Sequence, residues 1–159
     1  MYAVVFEVAV GILYLATIHH AIKRHNGERL LVACGIVGTI MWLQEYLAMN
    51  VLSSNLYHYN GFSTWLGDVP LAIVLSWIVV YYVSFTVSVK THSYLVGALA
   101  GSTVDLALEP LAFLWGLWIW RPDTYSILTY WTAPIGNAFG WLLWCFIGAQ
   151  IFNHFKTTQ

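Results

Sequence analysis

Two carboxylic acids four residues apart, Asp105 and Glu109, sit inside the apolar run Val104-Asp105-Leu106-Ala107-Leu108-Glu109-Pro110-Leu111. Residues at that spacing share one helix face, one turn apart. Pro110 has no N–H and crowds the turn before it, so a kink is expected beside the pair. A carboxyl surrounded by hydrocarbon holds its proton more tightly than in water, and two neighbouring carboxyls cannot easily ionise together. Such a pair can supply a neutral acid able to protonate a weak base. In a bilayer, the weak base at hand is an alkene of a lipid-soluble isoprenoid. Protonating a trisubstituted terminal alkene gives a tertiary carbocation, which aromatic faces stabilise. Phe, Trp and Tyr make up 17% of this chain. A water held by the second carboxylate or by an amide then adds to give a tertiary alcohol. If water is excluded, an internal alkene attacks instead and closes a ring.

The hydrocarbon setting follows from composition. The 159 residues are 60% hydrophobic and 8% charged, with a mean hydropathy of +0.70. Soluble domains carry about 25% charged residues. The expectation is an all-α, polytopic membrane bundle, one domain over residues 1–159, with five spans near 2–22, 30–51, 69–89, 94–120 and 135–152. Each is close to the ~20 apolar residues a crossing requires. The N-terminus has no basic region and no small-residue cleavage site, so the first segment reads as a retained span. Net charge is −1, and no basic run points to nucleic acid or a polybasic lipid switch. Cys34 and Cys145 lie within spans and read as small buried residues. With five spans, Lys23, Arg24, Arg29, Lys90 and Lys156 fall on one side and Arg121 on the other. That bias puts the N-terminus outside and the C-terminus in the cytoplasm, in an integral, multi-pass protein of the cell membrane. A bundle this small is compatible with a homo-oligomer.

Counting ~1.5 Å per residue along each span gives a depth to every polar group. Glu45 lies about 22 Å above the basic end of span two and Asp105 roughly 18 Å above that of span four, near the midplane. Glu109 is one turn higher, and Asp68 and Asn137 open spans three and five from the outer side. This agreement in depth points to one acidic pocket between midplane and outer surface, covered by the connection that holds Tyr57, Tyr59, Phe62 and Trp65. Glu7, near the outer end of span one, is expected at the headgroups. His19, His20, His92 and His154 fall at the opposite, basic ends of spans and His58 outside, so they read as interfacial side chains and not as haem or metal ligands. Trp115, Trp118 and Trp120 read as an interfacial aromatic belt closing span four.

Three segments carry a family resemblance. The first is Glu45 followed by Leu56-Tyr57-His58-Tyr59. The second is Gly67-Asp68-Val69-Pro70-Leu71-Ala72-Ile73 leading to Trp77. The third runs Asp105-Leu106-Ala107-Leu108-Glu109-Pro110-Leu111-Ala112, then Gly116-Leu117-Trp118-Ile119-Trp120, then Ala133-Pro134-Ile135-Gly136-Asn137-Ala138-Phe139-Gly140-Trp141. Over roughly residues 42–145 the chain resembles the carotenoid 1,2-hydratase (bisanhydrobacterioruberin hydratase-type) membrane proteins. The resemblance implies addition of water to the terminal double bond of an acyclic carotenoid, with no metal or organic cofactor. It implicates Asp105, Glu109 and Glu45 in catalysis, with Asn137, Asp68, Tyr57, Tyr59, Trp77 and Trp118 around a lipid-soluble isoprenoid or carotenoid. Intramembrane cyclisation or isomerisation by the same carboxyls, and a non-enzymatic carotenoid-binding role, are the alternatives. A proton-coupled carrier fits less well, since no basic residue lies at membrane depth, and Lys90, at a helix end, does not suit a retinal site.

Overall fold

The computed structural model describes residues 1–24, 27–51, 56–121, 128–130 and 133–156. Five helices dominate it: α1 (Tyr2–Arg24), α2 (Gly27–Asn50), α3 (Leu71–Thr91), α4 (Tyr94–Trp115) and α5 (Ile135–Phe155). Each is long and apolar enough to cross a membrane, so the chain is an all-α, multi-pass membrane bundle. Many large apolar side chains remain on its outer surface, among them Val8, Ile12, Leu15, Leu99 and Leu143. In hydrocarbon such a surface carries no penalty, and buried faces instead select small residues that let backbones approach.

That selection is clearest where α3, α4 and α5 meet. A Cβ on Gly97 would collide with Ser88 Oγ and the Ser84 carbonyl, and one on Gly101 with Ser84 Oγ and Cys145 Sγ. A Cβ on Gly148 would strike the Tyr81 ring. The three helices therefore pack at close range, and α3 is the central element: it contacts α1, α2, α4 and α5 and buries Tyr81, Phe85 and Ser84 almost completely. Ser84 and Ser88 return their hydroxyls to carbonyls one turn back, at 3.0 and 2.7 Å, so this polar seam is internally satisfied. Cys34 and Cys145 are buried free thiols, as expected.

The helix ends differ from the sequence expectation at informative places. Span four stops at Trp115, not Trp120, because Gly116 adopts φ 62 and its N–H bonds back to the Ala112 and Phe113 carbonyls. A left-handed glycine at this position is a common helix terminator. Residues beyond it form a strand, so Trp118 and Trp120 are not a helical interfacial belt. Likewise Pro70 is not in the first turn of a helix: Val69–Pro70 is a short strand and α3 begins at Leu71. Helix α4 passes through Pro110 as one continuous helix. The short turn expected at residues 90–93 is present, with His92 in the left-handed region (φ 54) as the cap of α3.

Among the described residues, short strands sit at one end of the bundle only. Strand β1 (Tyr57–Tyr59) pairs antiparallel with β4 (Trp118–Trp120), β2 (Trp65–Leu66) with β3 (Val69–Pro70), and β5 (Thr129–Tyr130) with β6 (Ala133–Pro134). The first pair is lengthened by Asn60 N–H to the Leu117 carbonyl at 2.8 Å and Arg121 N–H to the Leu56 carbonyl at 3.0 Å. This capped end also holds the start of α1. Glu7 accepts from Ser63 N–H (2.9 Å), Ser63 Oγ (2.5 Å) and Thr64 N–H (3.0 Å), so it anchors the connection and does not simply reach for headgroups. The opposite end carries the tight turn at residues 92–93 and the chain terminus, with Lys23, Arg24, Arg29, Lys90 and Lys156. Residues 52–55, 122–127 and 131–132, between the expected spans, lie outside the described residues.

Candidate functional site

Strands put alternate side chains on one face. Tyr57 and Tyr59 therefore point the same way from β1, and Trp118 and Trp120 the same way from β4. The register sets Tyr57 opposite Trp120 and Tyr59 opposite Trp118, with ring centroids 4.8 and 6.3 Å apart. The ribbon thus presents four polar-tipped aromatic rings on one face. Their polar tips land on two different carboxyls. Tyr57 and Tyr59 both donate to Glu45 Oε2, Tyr59 at 2.7 Å. Trp118 and Trp120 both donate from Nε1 to Glu109 Oε2, at 3.1 and 3.0 Å.

The remaining oxygens are served from the helices. Trp77 on α3 donates to Glu45 Oε1 at 2.9 Å, and its ring stacks on Trp141 of α5 with centroids 3.6 Å apart. Asn137, in the first turn of α5, places Nδ2 3.0 Å from Glu109 Oε1, 3.2 Å from Asp105 Oδ2, 3.5 Å from Asp105 Oδ1 and 2.9 Å from the Tyr130 hydroxyl. An amide NH₂ has two hydrogens, so these contacts share two donations, and the amide bridges the two acids. Tyr130 donates to Asp105 Oδ2 at 2.6 Å. Burial pushes the Tyr57, Tyr59 and Tyr130 hydroxyls above the ordinary tyrosine range, reinforced by the Glu45 carboxyl for the first two and by the hydrogen bond to Asp105 for Tyr130. They remain protonated donors. The donors identified on Glu45, Asp105 and Glu109 are all neutral: phenol, indole and amide.

Asp105, Glu109 and Glu45 are 1, 3 and 4% exposed, yet all three line one cavity of about 870 Å³. That is within the ~300–1,000 Å³ of small-molecule sites. Its wall is mostly apolar and aromatic, with Phe6, Trp77, Trp118, Trp120, Trp141 and Trp144 among the lining groups. Gln44 also lines it, and its buried Oε1 accepts no hydrogen bond from the described residues. Among the described residues no group of three or more His, Cys, Asp or Glu side chains is placed to hold a metal ion.

Of the residues singled out by sequence, Asp105, Glu109, Glu45, Asn137, Tyr57, Tyr59, Trp77 and Trp118 all line this cavity. Asp68 does not. It is exposed in the Gly67-Asp68 turn between β2 and β3, where Gly67 takes φ 64. Trp65 is also on the surface, while Phe62 is buried against Phe6 and Tyr59. His19, His20, His92 and His154 lie at helix ends and His58 in β1, all outside the cavity, but His20 is not merely solvent-facing: its Nδ1 lies 2.7 Å from the Tyr82 hydroxyl. Sequence reasoning missed Tyr130, Trp120, Trp141 and Gln44. The Trp-x-Trp and Tyr-x-Tyr alternations were the available signal for the ribbon; nothing local marks Tyr130.

No protein-family model, curated protein or solved structure matches the chain at the significance required.

Proposed function

We propose that this protein is an intramembrane acid catalyst that hydrates the terminal double bond of an acyclic carotenoid or related isoprenoid. The observation that carries the proposal is the Asp105–Asn137–Glu109 bridge opening into a large aromatic cavity. The resemblance to the carotenoid 1,2-hydratases points the same way, and no cofactor enters the scheme.

Hydrogen-bond capacity divides the roles. Indole and amide N–H groups only donate. Glu109 Oε2 receives two indoles and Oε1 receives Asn137, so Glu109 is built as an acceptor. Asp105 Oδ1 has only the long 3.5 Å contact and is the least committed carboxyl oxygen of the six. Asp105 is therefore the proton donor. Its proton adds to the less substituted alkene carbon, the π pair forms the new C–H bond, and the tertiary carbon becomes cationic. Trp77, Trp118 and Trp141 offer π faces to that charge. A water whose hydrogen bonds go to Gln44 Oε1 and Glu109 forms the C–O bond and gives its proton to Glu109. Return of that proton to the Asp105 carboxylate, one turn away, resets the pair. Glu45 holds β1 in place through Tyr57 and Tyr59.

Ring closure is the second reading, favoured by the stacked Trp77–Trp141 floor, which suits a folded chain. The excess of basic residues at the uncapped end supports reading that end as cytoplasmic, with the site in the outer half of a cell membrane. The test is mass spectrometry of lipids from cells that make a lycopene-type pigment and express the protein. Hydration yields a product heavier by one water with an unchanged polyene spectrum. Asp105→Asn and Glu109→Gln each abolish it with the protein still folded. A product of equal mass but altered retention establishes cyclisation instead, and full activity in both variants refutes the acid pair.

A further inference from the structure

We infer that the cavity is entered sideways from the bilayer, through a seam between α2 and α5, and that the substrate is a long chain whose reacting end lies inside while its remainder stays in lipid. The inference rests on the isoprenoid reading above and adds the route and the shape of the substrate. Leu43 and Leu47 on α2 line the cavity and are also 48 and 38% exposed on the outside of the bundle. Across from them, α5 contributes Gly136 and Gly140, which line the same cavity; the space where either Cβ would stand is empty to 4 Å. One wall therefore belongs to both the cavity and the lipid-facing surface. The Tyr57, Tyr59, Trp118 and Trp120 ribbon covers the capped end, and the glycine-mediated contacts of α3, α4 and α5 seal the far side.

Depth decides what passes. Leu43 and Leu47 lie within the helical span of α2, and Gly136 and Gly140 in the first two turns of α5, so the seam faces acyl chains. Among the described residues the rim is leucine and bare glycine backbone, with no charge to hold a headgroup. A flexible or polyene hydrocarbon fits that rim, and its terminal alkene meets Asp105 and Glu109 beyond it. A cavity of about 870 Å³ that opens on lipid holds one end of a chain and does not restrict the rest. Both ends of a symmetric substrate are then processed in separate visits, and a singly hydrated product accumulates before the doubly hydrated one.

The experiment uses the full-length protein in phosphatidylcholine vesicles with a long acyclic isoprenoid carrying a diazirine at its middle. Illumination is expected to label the peptides holding Leu43–Leu47 and Gly136–Gly140. Gly140→Phe, which fills the seam, should lower that labelling and long-chain turnover by roughly an order of magnitude, and Leu143→Phe, on the lipid-facing side of the same helix and outside the cavity lining, should leave both near wild type. Labelling confined to the ribbon or to α1, or labelling of α2 and α5 that Gly140→Phe leaves unchanged, overturns the route. Wild-type labelling at the seam is read without turnover, so misfolding of the Phe variant does not remove the test. Seam labelling without any product supports the route and refutes hydration; product with labelling elsewhere does the reverse.

Discussion

Asn137→Leu is the sharpest perturbation of the proposed chemistry. Leucine keeps the branched shape and removes both N–H donors. In the wild type one donation goes to Glu109 Oε1 at 3.0 Å and the other is shared between Asp105 Oδ2 at 3.2 Å and the Tyr130 hydroxyl. Tyr130 still donates to Asp105 in the variant, so the principal loss is at Glu109. A hydrogen bond to a charged acceptor contributes about 1.5–3 kcal/mol. Without that donor the ionised Glu109 is less stable, so the shared proton shifts from Asp105 to Glu109 and the competent state, with Asp105 protonated, is depleted; turnover then falls roughly 10- to 150-fold. The assay is formation of the one-water-heavier product from a lycopene-type substrate in proteoliposomes, with thermal unfolding monitored by circular dichroism to confirm that the variant is folded. Asn137→Asp cannot substitute as a control, because it adds a third acid beside the pair. Wild-type turnover in a folded Asn137→Leu protein refutes the bridge as a catalytic element and leaves it as a structural tie.

Gln44→Leu should change the product more than the rate. Protonation by Asp105 is untouched, but the water loses its acceptor, so alcohol gives way to ring-closed or re-formed alkene products, read by chromatography and mass spectrometry; an unchanged product ratio sinks the water-holding role. Gly101→Leu should loosen the bundle, because its side chain would have to displace Ser84 and Cys145; overpacking of this kind costs about 1–3 kcal/mol or more, visible as a lowered detergent-melting midpoint.

Much of the architecture was legible because its causes are local. Five apolar stretches of span length and the four-residue spacing of Asp105 and Glu109 are properties of single segments. Depth counting then grouped Glu45 and Asn137 with them correctly, since helices climb at a fixed rise. It failed for Asp68, which has the right height but lies in a two-residue turn between paired strands that directs it outward. The ribbon was illegible for a different reason. Its pairing joins residues 57–59 to 118–120 across two intervening helices, and no window of sequence contains both partners. Trp118 and Trp120 consequently read as a belt facing headgroups, when Gly116 had already ended the helix and turned their indoles inward. Tyr130 reaches Asp105 only because β5 and β6 fold back beside α4.

The spacing of the donors along the chain has a consequence for biogenesis. Glu109 obtains its indoles from residues only 9 and 11 positions on, so its partners emerge from the ribosome almost with it. Asp105 waits for residues 25 and 32 positions later. Until the last helix inserts, α4 carries an acid in hydrocarbon without Tyr130 and Asn137, and an unsatisfied polar group there costs several kcal/mol. A chain stalled or truncated before α5 therefore holds α4 only weakly in the bilayer and presents it to membrane quality control. Docking of α5 both brings Asn137 to the two acids and packs against the helix that bears them, so the polar contacts of α4 and its helix packing are completed in the same step.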